Sequence, residues 1–344
     1  MRIIQSACFL EDYIYDLDFC NVIDKTLTTS KIIDCLFDEL EDQLRKMANE
    51  QISRDARIGL LIGSSLGDLN RNNADNPKAF NNHCFDSILH KVRSNYKNFE
   101  IFYTFSNTCV SSIDLFYNAQ TLFKNDVLDF CFILAYDYSG DFIRSGLASY
   151  NILNTQMSLQ SFDKDSKGIV VKSAFVMMLV GKEERNIKKR NCTHILSSSI
   201  INDAYSLTSF SPTYDGIKKS IQKSLDNLDM EIDEIDIIFC STNGVFKNDL
   251  KYLRTLRELE YHGHISSVKH LTNHTLSASV ALEIALSAKL IKKSRLDELC
   301  FNYCLNDADD VIITNLNYSI DRGKCMIVST GFSGVTGAII YEIS

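Results

Sequence analysis

The chain has 344 residues, of which 45% are hydrophobic, and its formal net charge is −8 at pH 7. This length and composition allow a large buried core, in one domain or two packed halves, and exclude a disordered chain. The negative charge disfavours nucleic-acid binding, which neutralises phosphates with excess Lys and Arg. No apolar stretch reaches the ~18 residues of a membrane helix, and the first residues lack a secretory pattern, so we expect a cytoplasmic protein.

Short apolar runs rich in β-branched residues alternate with segments of helical period, which predicts an α/β protein with buried strands. A loose similarity between residues 106–124 and 239–261 suggests an internal duplication. The predicted strands are 58–62, 130–135, 169–180, 235–240, 326–329 and 338–342. The predicted helices are 30–48, 111–124, 216–228, 249–261 and 276–292.

The eleven cysteines form an odd set without a C-x-x-C pair, so neither a disulfide framework nor a zinc site is predicted. We expect most of them to be reduced core thiols. No metal and no cofactor is implied.

One cysteine, Cys109, lies just ahead of the predicted helix 111–124, in the segment FSNTCVSSIDLFYNAQTLFKND. A thiol at this place is exposed to the positive end of the helix dipole and to free backbone N–H groups, which lower its pKa toward the reactive thiolate. The small residues around it leave room for a substrate. The alternative is a structural thiol, since free cysteines are among the most buried residues.

The segment 106–137 resembles the nucleophile region of β-ketoacyl synthases, a branch of the thiolase-like condensing enzymes. In that family a Cys among small residues opens a central helix, and the next strand ends near an acidic residue, here Asp137. Further family segments follow in the family's order: LLIGSSLGD (60–68), SFDKDSKGIVV (161–171) and STGFSGVTGAIIYEI (329–343). The chain is therefore identified as a diverged member of this family.

The resemblance implies a thiolase-like α/β fold, in which two packed βαβαβ-type halves form a layered α-β-α-β-α sandwich. The N-terminal half, 1–185, would carry the nucleophile. The C-terminal half, 186–344, would carry the catalytic Lys and His and a Gly-Phe-x-Gly loop.

The segment SSVKHLTNHTLSASVALEIALSAKL resembles the family's Lys-x-x-x-Gly-His-x-x-x-Ala sequence. This resemblance makes Lys269 and His274 the counterparts of the catalytic Lys and the second His, with Asn273 in the place of the Gly. A neutral imidazole at 274 could donate its Nε2–H to a thioester oxygen, and Lys269 could bias the local field. The alternative for His274 is a hydrogen-bonded core histidine.

The first family His is missing. Aligning residues 235–253 with the family keeps the supporting Asp249, but puts Ser241 where the His belongs and Tyr252 where a Glu belongs. Three histidines lie nearby in sequence and one of them could substitute in space, although we favour simple loss: His262, His264 and His270.

By resemblance, Cys109 would take an acyl group from the phosphopantetheine thioester of an acyl carrier protein. The oxyanion would be held by the backbone N–H groups of Cys109 and Phe332, and Phe332, between Gly331 and Gly334, would also be the gate of the acyl pocket. Decarboxylative condensation uses both family imidazoles, and losing one proton donor or acceptor costs ~10²- to 10⁴-fold. The Ser at 241 therefore weakens condensation more than acyl transfer.

Three functions stay open at this point. The chain could be an acyltransferase of a fatty-acid or polyketide type pathway, or a full condensing enzyme in which Ser241 or another His completes the site. It could also be a silent partner of an active ketosynthase, as chain-length factors are, although such a partner has no need for Cys109, Lys269 and His274. We expect a homodimer formed through strands near the nucleophile, with a heterodimer as the alternative.

Overall fold

The computed structural model describes residues 1–10, 21–22, 56–67, 99–156, 158–182, 192–206, 211–292 and 323–343. The predicted helix 30–48 lies outside these ranges. Among the described helices, none is long and apolar enough to cross a membrane.

The described ranges contain eleven strands and six helices. The strands are β1 (Arg2–Leu10), β2 (Asn21–Val22), β3 (Ile58–Gly63), β4 (Ile101–Phe105), β5 (Phe130–Asp137), β6 (Ala174–Gly181), β7 (Thr193–Asn202), β8 (Ile237–Cys240), β9 (His264–Ser266), β10 (Gly323–Thr330) and β11 (Val335–Ile343). The helices are α1 (Ser111–Lys124), α2 (Asp141–Ser149), α3 (Asp215–Asp226), α4 (Phe246–Glu258), α5 (Lys269–Thr272) and α6 (Ser279–Lys292). Short 3₁₀ turns include Thr108–Val110, Leu276–Ala278 and Phe332–Gly334.

The strands form one mixed sheet in the order β4-β3-β5-β6-β1-β7-β11-β10-β8-β9, with β2 paired to β1. Outward from the β1–β7 contact, the two halves repeat one pattern. The first two neighbouring pairs on each side are antiparallel, β1–β6–β5 and β7–β11–β10. The next two are parallel, β5–β3–β4 and β10–β8–β9. The chain is thus built from two halves of the same topology.

The topology shows which helix of the C-terminal half corresponds to α1, and it is not the one that the sequence suggested. Each half contains a step from its outermost strand to a helix and on to the middle strand, namely β4-α1-β5 and β9-α6-β10. Both helices follow a 3₁₀ turn whose first residue has a positive φ, 50° at Thr108 and 53° at Leu276. The structural counterpart of α1 is therefore α6, not residues 239–261. The similarity between segments of the sequence did not reveal this correspondence, because α6 is buried on all sides whereas α1 is half-exposed and the two helices therefore differ in composition.

The core is layered. Helices α1 and α6 pack between the inner faces of the two halves, where the largest apolar cluster joins residues of both. Helices α3 and α4 cover the outer face of the C-terminal half with a second cluster. A third cluster lies on the opposite face of the N-terminal half. Four layers are therefore seen in the described ranges, helices over sheet over helices over sheet.

The turns before α1 and α6 lie at the carboxyl ends of β5, β8 and β10. Ligands of α/β proteins bind at this edge, because loops there can vary without disturbing the sheet. The predicted site residues fall at the same edge.

Candidate active site

Cys109 lies in the 3₁₀ turn that leads into α1. The hydroxyl of Ser111 donates to the carbonyl of Thr108 at 2.7 Å and accepts from the backbone N–H of Asn107 at 2.9 Å. These two bonds fix the turn, and the positive φ of Thr108 directs the chain sharply into the helix. The sulfur is thereby held at the N-terminal end of α1, as the sequence predicted.

Asp137, at the end of β5, ties this turn to its counterpart in the other half. Its buried carboxylate accepts from the hydroxyl of Ser64 at 2.6 Å and from the backbone N–H of Ser277 at 2.9 Å. The hydroxyl of Ser112 in α1 donates to the carbonyl of Ser277. The turns before α1 and α6 are therefore joined, and they pack directly against each other.

His274 immediately precedes the second of these turns. Its Nδ1 accepts from the backbone N–H of Leu276 at 3.0 Å, so the ring hydrogen of the neutral imidazole is on Nε2. Burial, and then the charge of Lys269, hold the pKa of His274 well below its usual value. His274 is therefore a neutral imidazole with one N–H to donate.

Asn273 has φ 60° and ψ −168°, a backbone region that glycine favours. The Asn is accommodated because its Oδ1 accepts from the backbone N–H of Leu159 at 2.8 Å. The same turn is thus formed here without glycine, and the side chain adds a bond to a neighbouring loop.

Lys269 is almost fully buried beside two other polar groups. Its Nζ lies 3.9 Å from Oε1 of Glu283 and donates to the carbonyl of Ser241 at 3.4 Å. The hydroxyl of Ser241 donates to the same carboxylate oxygen of Glu283 at 3.0 Å. The other oxygen, Oε2, has no hydrogen-bond partner among the described residues.

The sequence analysis did not single out Glu283. It is fully buried on α6, where it is the only acidic residue in a helix of apolar and small side chains. A lone carboxylate in such a helix needs a buried partner, and the nearby Lys269 was the available cation. That pattern was the signal that could have found it.

Burial dominates the electrostatics of this cluster. It lowers the pKa of Lys269 and raises that of Glu283, and in each case the partner's charge opposes the shift. The pKa of Cys109 is raised to about 11 by burial, against the charge of Lys269, which lowers it. The expected depressed pKa of Cys109 is therefore wrong, because the loss of hydration destabilises the thiolate by more than the helix N-terminus and Lys269 stabilise it.

Asp249 holds the segment that follows β8. Its buried carboxylate accepts from the backbone N–H of Asn243 at 2.9 Å and of Phe162 at 3.2 Å. Burial raises its pKa to about 7, against those backbone bonds. Asp249 therefore supports the loop that begins at Ser241.

Two of the three histidines considered as substitutes lie at the far end of β8, and the third already has a backbone partner. His264 pairs with Ile237 at the start of β8, the end opposite Ser241, and His262 is exposed just before it. Nδ1 of His270 is 2.6 Å from the carbonyl of Ser267. These positions favour the interpretation that the imidazole was lost.

The loop from Gly331 to Gly334 lies directly beside the nucleophile turn. A Cβ at Gly331 would collide with the hydroxyl of Thr108, and Gly334, with φ 74°, would collide with Asp203. Gly334 is thus favoured by its positive φ, and any side chain at Gly331 would force the Thr108 hydroxyl to move. The side chain of Phe332 is partly buried on an apolar cluster whose buried members are Leu147, Ile169, Val171 and Leu276.

Sequence comparison finds ketosynthases. Residues 192–300 match the profile of the β-ketoacyl synthase C-terminal domain. A 3-oxoacyl-[acyl-carrier-protein] synthase 2 from Staphylococcus aureus is 23% identical over 211 residues, 58% of this chain and 52% of the relative. A protein of the same name from Coxiella burnetii is 24% identical over 219 residues, 57% and 50%. The match spans about half the length of these relatives.

Solved structures share the fold. A ketosynthase in complex with its chain length factor from Xenorhabdus doucetiae superposes with a TM-score of 0.71 at 18% identity, covering 92% of this chain and 81% of that one. A β-ketoacyl synthase from Burkholderia phymatum gives 0.71 at 15%, covering 91% and 82%. The thiolase-like α/β fold expected from the sequence is confirmed. These matches and the shared fold support the resemblance to the β-ketoacyl synthase family.

Proposed function

We propose that this chain is an acyltransferase that moves an acyl group from the thioester of an acyl carrier protein onto Cys109. The observation that carries the proposal is the convergence of four groups at one edge of the sheet. These are the Cys109 turn, the buried ammonium of Lys269, the Nε2–H of His274 and the loop that contains Phe332.

The transfer balances as a thioester exchange. The sulfur of Cys109 attacks the carbonyl carbon of the incoming thioester, and the proton that the thiol gives up balances the one that the departing carrier thiolate takes up. The negative charge that develops on the oxygen would be held by the backbone N–H groups of Cys109 and Phe332 and by the Nε2–H of His274. Collapse expels the carrier thiolate, which takes up a proton, and leaves the acyl group on Cys109.

The apolar cluster around Phe332 supports an apolar acyl group. It includes Leu276, in the turn next to the nucleophile turn, and continues toward α2 through Leu147 and Ile143. Such side chains stabilise a bound hydrocarbon by about 0.8 kcal/mol for each CH₂ removed from water. This apolar environment favours a carrier-bound fatty or reduced polyketide chain over a charged acyl group.

Condensation is the weaker half of the proposed activity. A Ser hydroxyl at 241 already donates to Glu283 and offers no second imidazole. A condensing enzyme in which Ser241 completes the site is the alternative within the same class.

Intact-mass measurements test the proposal. The protein is incubated with carrier proteins bearing acyl chains of different length, and we expect a mass increase equal to the acyl group that Cys109→Ala abolishes. Malonyl carrier is then added. Acyl transfer alone predicts no 3-ketoacyl product, whereas its release would establish condensation.

A silent partner is the second candidate, and one observation favours it. The pKa of Cys109, at about 11, leaves the thiol almost wholly protonated at neutral pH. One solved structure that shares the fold is a ketosynthase in complex with its chain length factor, which is the kind of partner this candidate would be. No Cys109-dependent adduct over the whole carrier panel would support the silent partner and refute the transferase.

We also propose a homodimer formed through β4. In the described ranges this strand pairs on one side only, with β3, and its Tyr103 is 52% exposed. An edge strand with an exposed aromatic residue is a ready surface for pairing with a second copy. Tyr117 of α1 is also exposed and would extend the same surface.

A further inference from the structure

Tyr252 is buried on α4, and its hydroxyl lies between the two segments that flank the site. The phenol donates to the carbonyl of Ser241 at 3.3 Å, and its oxygen is 2.9 Å from the hydroxyl of Thr330. A phenol has one hydrogen, so the Thr330 hydroxyl is the donor in the second bond. Tyr252 thus links the end of β8 to the end of β10.

Both linked segments lead to the nucleophile. The carbonyl of Ser241 also accepts from Nζ of Lys269, so Tyr252 and Lys269 occupy its two lone pairs. Thr330 directly precedes Gly331, which packs against Thr108, the neighbour of Cys109. A displacement of Thr330 therefore moves the Gly331–Phe332 peptide relative to the sulfur.

A neutral group suits this position. Two buried carboxylates, Asp249 and Glu283, already face a single buried ammonium, Lys269, and a third carboxylate would add repulsion. Burial holds the pKa of Tyr252 well above its usual value. The phenol therefore remains a neutral donor over the working pH range.

We infer that Tyr252 is a positioning residue for acyl transfer: by binding Ser241 and Thr330 together, its hydroxyl holds the Phe332 amide at the distance from Cys109 that the oxyanion requires. The inference rests on the proposed function. The inference goes beyond the proposed function because it assigns the alignment of the Gly331–Gly334 loop to a side chain that touches neither the acyl group nor the sulfur.

Two variants remove the link from opposite ends, Tyr252→Phe and Thr330→Val. Tyr261→Phe is the matched control, since Tyr261 is also buried and its hydroxyl shares its one hydrogen between the carbonyls of Ile235 and His264 at the far end of β8. Loss of one aligning hydrogen bond is expected to lower the rate constant of Cys109 acylation about tenfold at saturating carrier, with the half-saturating concentration unchanged. The double variant should be no slower than either single one, because both break the same link.

Hydrogen exchange supplies a readout that does not depend on catalysis. Backbone amides of the peptide covering Thr330 to Thr336 should exchange faster in Tyr252→Phe and Thr330→Val and at the wild-type rate in Tyr261→Phe. Unchanged exchange, or an acylation rate that falls equally in the control, would overturn the inference. Absence of acylation in the wild-type protein refutes the proposed function instead, and the exchange result still decides whether Tyr252 holds the loop.

Discussion

The reactivity of Cys109 should depend steeply on pH and on Lys269. With a pKa of about 11, the thiolate fraction at pH 8 is about one in a thousand. The rate of alkylation by iodoacetamide should therefore rise about tenfold per pH unit from pH 7 to 10 without a plateau. Replacing Lys269 with Met removes the charge that lowers this pKa. A rise of about one unit would slow alkylation about tenfold at each pH.

Stability must be separated from reactivity in this test. Lys269→Met leaves Glu283 as a buried carboxylate without its cation, and breaking such a pair costs about 3–5 kcal/mol. The double variant Lys269→Met/Glu283→Gln removes both charges and should recover much of that loss while alkylation stays slow. Peptide-resolved mass spectrometry assigns the label to Cys109 among the eleven cysteines. A plateau below pH 8, or an unchanged rate in Lys269→Met, would refute the electrostatic reasoning.

Three further predictions concern stability and assembly. Asn273→Ala should lower the free energy of unfolding by about 1–3 kcal/mol in urea titrations, because it keeps the strained backbone and loses the bond to Leu159, whereas Asn273→Gly should cost little. Equal losses of unfolding free energy in Asn273→Ala and Asn273→Gly would contradict a strained backbone at Asn273. The pKa of Asp249 rises from 3.8 to about 7 on folding, so the folded state binds the extra proton and the free energy of unfolding should fall by about 3 kcal/mol between pH 4 and 7. In Asp249→Asn the free energy of unfolding should lack this part of its pH dependence. Identical pH profiles of the wild type and the variant would contradict a raised pKa at Asp249. Tyr103→Glu should shift the mass in analytical ultracentrifugation from dimer toward monomer, while an unchanged dimer would place the interface elsewhere.

Much of the fold was predictable because its strands are buried on both faces. The apolar runs at β3, β5, β8, β10 and β11 coincide with observed strands, and α1 was placed at its observed bounds. The prediction missed β1, β2, β4, β7 and β9. Of these, β4 and β7 have partly exposed residues, and β2 and β9 are only two and three residues long. It also missed α2, which is only nine residues long. Short or partly exposed elements lack the periodicity that sequence reading needs.

The candidate site was also predictable only in part. Local sequence placed Cys109 before a helix and identified Lys269 and His274, because these positions lie in contiguous segments that resemble a family. The pKa of Cys109 was wrongly predicted, since the depth of the sulfur depends on α6 and β10, which are remote in sequence. Glu283 and the link through Tyr252 also require tertiary contacts over tens of residues.

The proposed function requires the sulfur of Cys109 to receive the acyl group. The most direct measurement is peptide mapping after incubation with an acyl carrier protein, in the wild-type protein and in Cys109→Ala. We expect the acyl mass on the Cys109 peptide, removable by hydroxylamine as a thioester is, and no label in the variant. An unmodified wild-type protein, or a label that persists in Cys109→Ala, would contradict it.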